Sequence, residues 1–173
     1  MAAVLESLIA TAGSTAMIFA IVFGADLFNV ALALSRMPLE VATYFGASDI
    51  PPMMILLAMV AFYLVMGCLM DSLSMILLTV PVFFPTIMAL DFGLMPEQQA
   101  MWFGIISLVV VELGLITPPV GMNLFVISAM AKEISMTQIF RGTLPFISAE
   151  FVRIVILISF PALSYWLVDV IPI

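Results

Sequence analysis

The stretch that decides the fold is MWFGIISLVVVELGLITPPVGMNLFVISAMA, Met101 to Ala131. Run straight, it would make a helix about 46 Å long, against a bilayer core of about 30 Å. Its middle, ITPPVGMN (Ile116–Asn123), is where the helix should break. Proline has no N–H, so Pro118 and Pro119 withdraw the helical donors of the Gly114 and Leu115 carbonyls. Each proline also pushes the residue before it out of the α region, and Gly121 permits an unusual φ before a second half-helix resumes at Met122–Asn123. The expected product is an unwound segment that offers carbonyl oxygens, the Thr117 hydroxyl, the Asn123 amide and the free N–H groups of the second half-helix. Inside a membrane such groups must be satisfied by protein, water or ligand. Broken helices of this kind hold cations at their carbonyl ends and anions at half-helix N-termini in secondary transporters. A proline kink repaired by neighbouring helices is the plainer alternative.

The remainder of the 173 residues fits a chain solvated by lipid. Hydrophobic residues make up 65%, charged residues only 9%, and mean hydropathy is +1.35. A soluble domain carries about 25% charged residues, so no water-facing surface can be built here. A net charge of −7 from four basic and eleven acidic residues disfavours nucleic acid. There is no histidine, which removes histidine triads and histidine-ligated metals, and no serine–base or paired-aspartate arrangement points to an enzyme. The lone Cys68 says little about redox compartment. The fifteen methionines are scattered and read as membrane packing. The fold class is therefore an all-α, polytopic integral membrane protein in the lipid bilayer.

Outward from the break, residues 8–34 form a first span, and the absence of basic residues before it argues against a signal peptide. Residues 36–52 read as an interfacial connector stopped by Pro51-Pro52. The block 53–90 is far too long for one span and must fold back as a hairpin, with its tip at GCLMDS (Gly67–Ser72). Asp71 should cap the returning helix at the Ser74 N–H. Gly67 lets another backbone approach, and Ser72 adds a hydroxyl. The hairpin either spans fully or is re-entrant with its tip at membrane depth, and the absence of a hydrophilic loop at the tip favours the buried tip. Pro81 and Pro85 share one face of the outgoing arm and read as a bend. Residues 101–131 form the broken helix, 132–145 an amphipathic surface segment, and 146–168 the last span, anchored by Tyr165 and Trp166. Glu112 is the most buried-looking acid, either a functional carboxylate or one facing a cavity or partner subunit. Glu150 and Arg153 are spaced for an i,i+3 pair. Lys132 and Arg141 against Arg36 place the N-terminus in the cytoplasm and the C-terminus outside. If the hairpin tip meets the unwound segment, the two make a cage of hard oxygen ligands suited to sodium.

Three runs carry a family resemblance: GCLMDSLSMILLTVPVFFP (67–85), ELGLITPPVGMNLFVISAMAK (112–132) and IFRGTLPFISAEFVRIVILISFPALSYWL (139–167). Together with the opening LIATAGSTAMIFAIVFGADLF (8–28), they resemble the large permease subunit of TRAP (tripartite ATP-independent periplasmic) transporters. The resemblance implies an elevator-type secondary transporter of two inverted repeats, each with a helical hairpin and a broken helix. It also implies a bacterial inner-membrane location and two partners, a small four-helix membrane subunit and a periplasmic solute-binding protein. The implied activity is sodium-driven import of an organic acid such as a dicarboxylate or sialic acid, with sodium as coupling ion and no other cofactor. Carried over, the metal-site residues are Gly67, Asp71, Ser72, Gly114, Thr117, Pro118 and Gly121, and the substrate-site residues are Thr117, Pro119 and Asn123. The family's large subunit carries both repeats in more than twice this length, so the chain reads as the C-terminal repeat alone: a fragment, a mis-called start or one piece of a split permease. A different ion-coupled carrier of similar architecture, or a non-transporting fragment, are the rival readings.

Overall fold

The first 34-residue helix, α1 (Ala2–Ser35), is apolar on every side and buries only Ala25 and Leu32. Such a helix gains nothing from water and is stable where lipid covers it. The computed structural model describes residues 2–118, 121–131 and 133–170, apart from the side chains of Ala2 and Asp169. Among these, seven further helices follow: α2 (Met37–Gly46), α3 (Pro52–Gly67), α4 (Ser72–Met88), α5 (Pro96–Ile116), α6 (Met122–Met130), α7 (Met136–Ser159) and α8 (Ala162–Val170). By length and composition α1, α5 and α7 can each cross a bilayer, while α3 and α4 are shorter apolar helices. The chain is an all-α, multi-pass membrane protein.

The core forms where α5 is wrapped by α3, α4 and α7. Trp102, Phe103, Ile106, Val110 and Val111 of α5 meet Leu56 and Tyr63 of α3, Met75 and Ile87 of α4, and Ile147 and Ile154 of α7. Around this core, large apolar side chains such as Phe19, Phe23, Val65, Val152 and Val155 point outward. That inversion of the soluble pattern is what lipid as solvent requires.

Proline punctuates these helices, and other helices repair the damage. Pro81 removes the donor of the Leu77 carbonyl within α4, and Asn29 of α1 supplies its Nδ2 there at 3.2 Å. Pro161 does the same to Leu157, and the indole N–H of Trp102 donates to that carbonyl at 2.8 Å. Here the helix ends outright, and α8 restarts at Ala162. This corrects the expected division of residues 132–168. There is no separate surface segment up to residue 145, because α7 starts after Ser135, where Ser135 and Gln138 form a capping box. Nor is 146–168 one span, because Pro161 divides it. The connector at 36–52 likewise contains α2, which packs on α4. Gln99 is buried and caps the end of α4, donating to the carbonyls of Ile87 at 2.6 Å and Leu90 at 3.0 Å. Glu150 and Arg153 pair at 2.7 Å.

Candidate ion site at the hairpin tip and the broken helix

The tip is made by α3 ending and α4 beginning within four residues. Gly67 closes α3, and the N–H groups of Leu69 and Met70 both return to the Met66 carbonyl, at 2.9 and 3.0 Å. Asp71 turns extended (φ −70°, ψ 154°) and caps α4. Its Oδ2 accepts the Ser74 backbone N–H at 2.9 Å, and its Oδ1 accepts the Ser74 hydroxyl at 2.6 Å. Both carboxylate oxygens are thus already engaged in holding the turn. Ser72, the first residue of α4, is half-buried.

The break in the long run falls between Ile116 and Met122. Thr117 is extended (φ −89°, ψ 137°), as a residue before proline should be. Its hydroxyl donates to the Leu113 carbonyl at 2.6 Å, which spends the proton and leaves the oxygen able only to accept or to ligate. Gly121 is buried at φ 59°, where an L side chain is strained. Its carbonyl accepts the N–H groups of Leu124 (2.8 Å) and Phe125 (3.3 Å) to start α6. Pro118 is exposed, and Asn123, second residue of α6, is exposed as well. Pro119 lies outside the described residues.

The two segments meet. A Cβ added to Gly67 would lie 2.9 Å from the Gly114 Cα, and one added to Gly114 would lie 2.7 Å from the Gly67 Cα. The backbones of α3 and α5 therefore touch, which only glycine at both positions permits. One step further on, the Cys68 thiol, buried, sits 3.2 Å from the Leu64 carbonyl and 3.6 Å from the Thr117 carbonyl. The C-terminal ends of α3 and α5 consequently converge on one spot. Each end carries partial negative charge from its last carbonyls, so the spot favours a cation. Among the described residues no three acidic, cysteine or histidine side chains gather as a metal cluster. Carbonyl and hydroxyl oxygens are the ligands on offer, and they are the kind that hard cations take.

Two expectations need correction. The Gly114 carbonyl, which Pro118 was expected to leave without a donor, accepts the Thr117 N–H at 3.2 Å instead. The helix tightens by one residue at its end, as helix termini commonly do. Glu112 is exposed on the outer face of α5 and is not a buried acid. Cys68, in turn, was missed as a contact between the segments; its place beside Gly67 was the available signal.

A family model described as the tripartite ATP-independent periplasmic transporter, DctM component, matches residues 1–163. The chain belongs to the DctM family. The curated relatives it matches are transporter permeases and not enzymes. The C4-dicarboxylate TRAP transporter large permease protein DctM of Pseudomonas aeruginosa is 35% identical over 87% of this chain and 34% of its own length. The sialic acid TRAP transporter large permease protein SiaM of Vibrio cholerae is 30% identical over 91% of this chain and 35% of its own. The ectoine/5-hydroxyectoine TRAP transporter large permease protein UehC of Ruegeria pomeroyi is 33% identical over 92% and 36%. This DctM chain spans about a third of the length of the curated relatives it matches. No solved structure matches it.

Proposed function

We propose that this chain forms the C-terminal part of a sodium-coupled TRAP large permease in the bacterial inner membrane. In this reading the crossing of α3 and α5 holds the coupling ion. The observation that carries it is the contact of Gly67 with Gly114, which brings two carbonyl-rich helix ends and the Thr117 hydroxyl together. Gly67, Gly114, Thr117 and Gly121 shape the ion site, while Asp71 and Ser72 hold the tip that closes it. The N-terminus of α6, with Asn123 in its first turn, faces the solute as one wall of a cavity. The rest of the permease, including a first hairpin and broken helix, completes that cavity.

Sodium binding at the crossing neutralises the two helix ends and fixes the tip against the break, so that ion and solute move together as the hairpin-bearing unit shifts across the membrane. The solute is an organic acid delivered by a periplasmic binding protein, and a small membrane subunit braces the permease. Named relatives carry solutes as different as C4-dicarboxylates, sialic acid and ectoine. The shared region therefore fits a common ion-coupling role, with the choice of solute made elsewhere.

The test is sodium activation of uptake by the assembled transporter in proteoliposomes. Replacing Thr117 with alanine should raise the sodium concentration for half-activation about tenfold or more, the loss expected for a contact to a charged group. The amount of inserted protein should not change. Unaltered sodium activation in Thr117→Ala would overturn the site.

A further inference from the structure

We infer that the elbow between α1 and α2 holds the headgroup of a phospholipid of the phosphoethanolamine class, zwitterionic and carrying a primary ammonium. The reading stands apart from the ion site, since none of its residues belongs to the crossing of α3 and α5.

The elbow is Arg36, the one described residue other than glycine with a positive φ, at 56°. A side chain in the left-handed region is strained, and such strain gathers where a residue has a task beyond making the turn. Arg36 is also unspent. Its guanidinium makes no ion pair, the one ion pair among the described residues being Glu150–Arg153. Nor does it cap α2.

What Arg36 does is stand between two cavities. One, about 650 Å³, lies along α2, where Leu39 and Ala47 line it together with the polar side chains of Arg36, Glu40, Thr43 and Ser48. The other, about 310 Å³, lies among α1, α2 and α4 and is lined mainly by Leu32, Leu39, Pro81 and Pro85, with Asn29 and Arg36 as its polar members. The two cavities share Arg36 and Leu39, and only the first has a carboxylate and hydroxyls in its otherwise apolar wall, an order that fits a lipid: headgroup, phosphate, acyl chain. The elbow follows the apolar length of α1 and precedes the Pro51-Pro52 stop, in the stretch that belongs at the membrane interface.

Charge and donor chemistry choose the headgroup. Arg36 offers a planar fork of donors matched to phosphate. Glu40, one turn on and unpaired, lines the first cavity and repels a headgroup of net negative charge while attracting an ammonium. The Thr43 hydroxyl donates to the Leu39 carbonyl at 2.8 Å and the Ser48 hydroxyl to the Phe45 carbonyl at 2.7 Å. Both have used their protons and can only accept. Acceptors beside a carboxylate suit an N–H₃⁺ group. They give nothing to a trimethylammonium, which has no N–H to donate.

The test uses the native permease that carries this chain, purified with its partner subunits and exchanged into nanodiscs. Discs are made of phosphatidylethanolamine, phosphatidylcholine or phosphatidylglycerol, and lipids retained after delipidation are counted by native mass spectrometry. Phosphatidylethanolamine should be retained in preference to both others. Arg36→Gln should weaken that retention about tenfold, the effect of losing a charge-assisted phosphate contact. Glu40→Gln should leave phosphate binding in place and erase the preference for ethanolamine over choline. Glu40→Gln keeps the proposal testable if Arg36→Gln fails to fold. Equal retention of all three lipids, retention of none, or a preference untouched by Glu40→Gln would each overturn it.

Discussion

Trp102 donates its indole N–H to the Leu157 carbonyl at 2.8 Å, and Leu157 is the residue whose helical donor Pro161 removes. The bond joins the core helix α5 to the break between α7 and α8, 55 residues away in the chain.

Removing that donor should destabilise the protein. Trp102→Phe leaves a carbonyl in an apolar setting without a partner, at a cost of about 1–3 kcal/mol. Unfolding in detergent should show the loss. Adding Pro161→Ala, which restores a backbone donor for Leu157, should recover part of it. Strict additivity of the two substitutions would contradict the repair role.

The Asn29 bond to Leu77 should behave in the same way at smaller scale. Asn29→Leu removes the one side-chain donor that α1 gives to the carbonyl orphaned by Pro81. Stability should fall by about 1 kcal/mol, with weaker docking of α1 on α4. Cysteine crosslinking between these helices is the readout, and unchanged crosslinking yield would count against it.

Gly67→Ala and Gly114→Ala should each cost about 1–3 kcal/mol by overpacking, because the new Cβ atoms would meet backbone at under 3.0 Å. Neither neighbour is a flexible side chain that can turn away. The double variant should cost less than the sum, since the first substitution has already parted the helices. Thermal unfolding of the three proteins checks this.

Asp71 separates capping from ion binding. Asp71→Ala should lose about 1 kcal/mol, the usual worth of an N-cap, whereas Asp71→Asn keeps an oxygen for the Ser74 N–H and should lose less. The proposed site holds its ion by carbonyl and hydroxyl oxygens, and on that proposal sodium activation in Asp71→Asn should stay within about threefold of the native value. A much larger shift would make the carboxylate itself a ligand.

The tip and the break were legible in the sequence because their signals are local. Gly67, Asp71 and the Pro118–Gly121 run interrupt apolar stretches that are otherwise uniform, and a run longer than a bilayer has to stop somewhere. The cap of Asp71 on Ser74 follows from a spacing of three residues. Other features depend on partners remote in the chain. Pro81 and Pro161 look alike in sequence, yet α4 continues through the first and α7 ends at the second. Nothing near Pro161 announces that Trp102 will be there to accept the break. The exposure of Glu112 was equally hidden, since an acid in an apolar helix looks buried until the faces of that helix are assigned. That Cys68 would reach Thr117 required knowing that α3 and α5 cross at two glycines.

The crossing of Gly67 and Gly114 has a mechanical consequence. Side chains between two helices act as springs, taking up a fraction of an ångström by turning about their χ angles before the backbones respond. None stands between Gly67 and Gly114, so a displacement that presses the end of α3 onto α5 meets backbone at once, with no slack to vanish into.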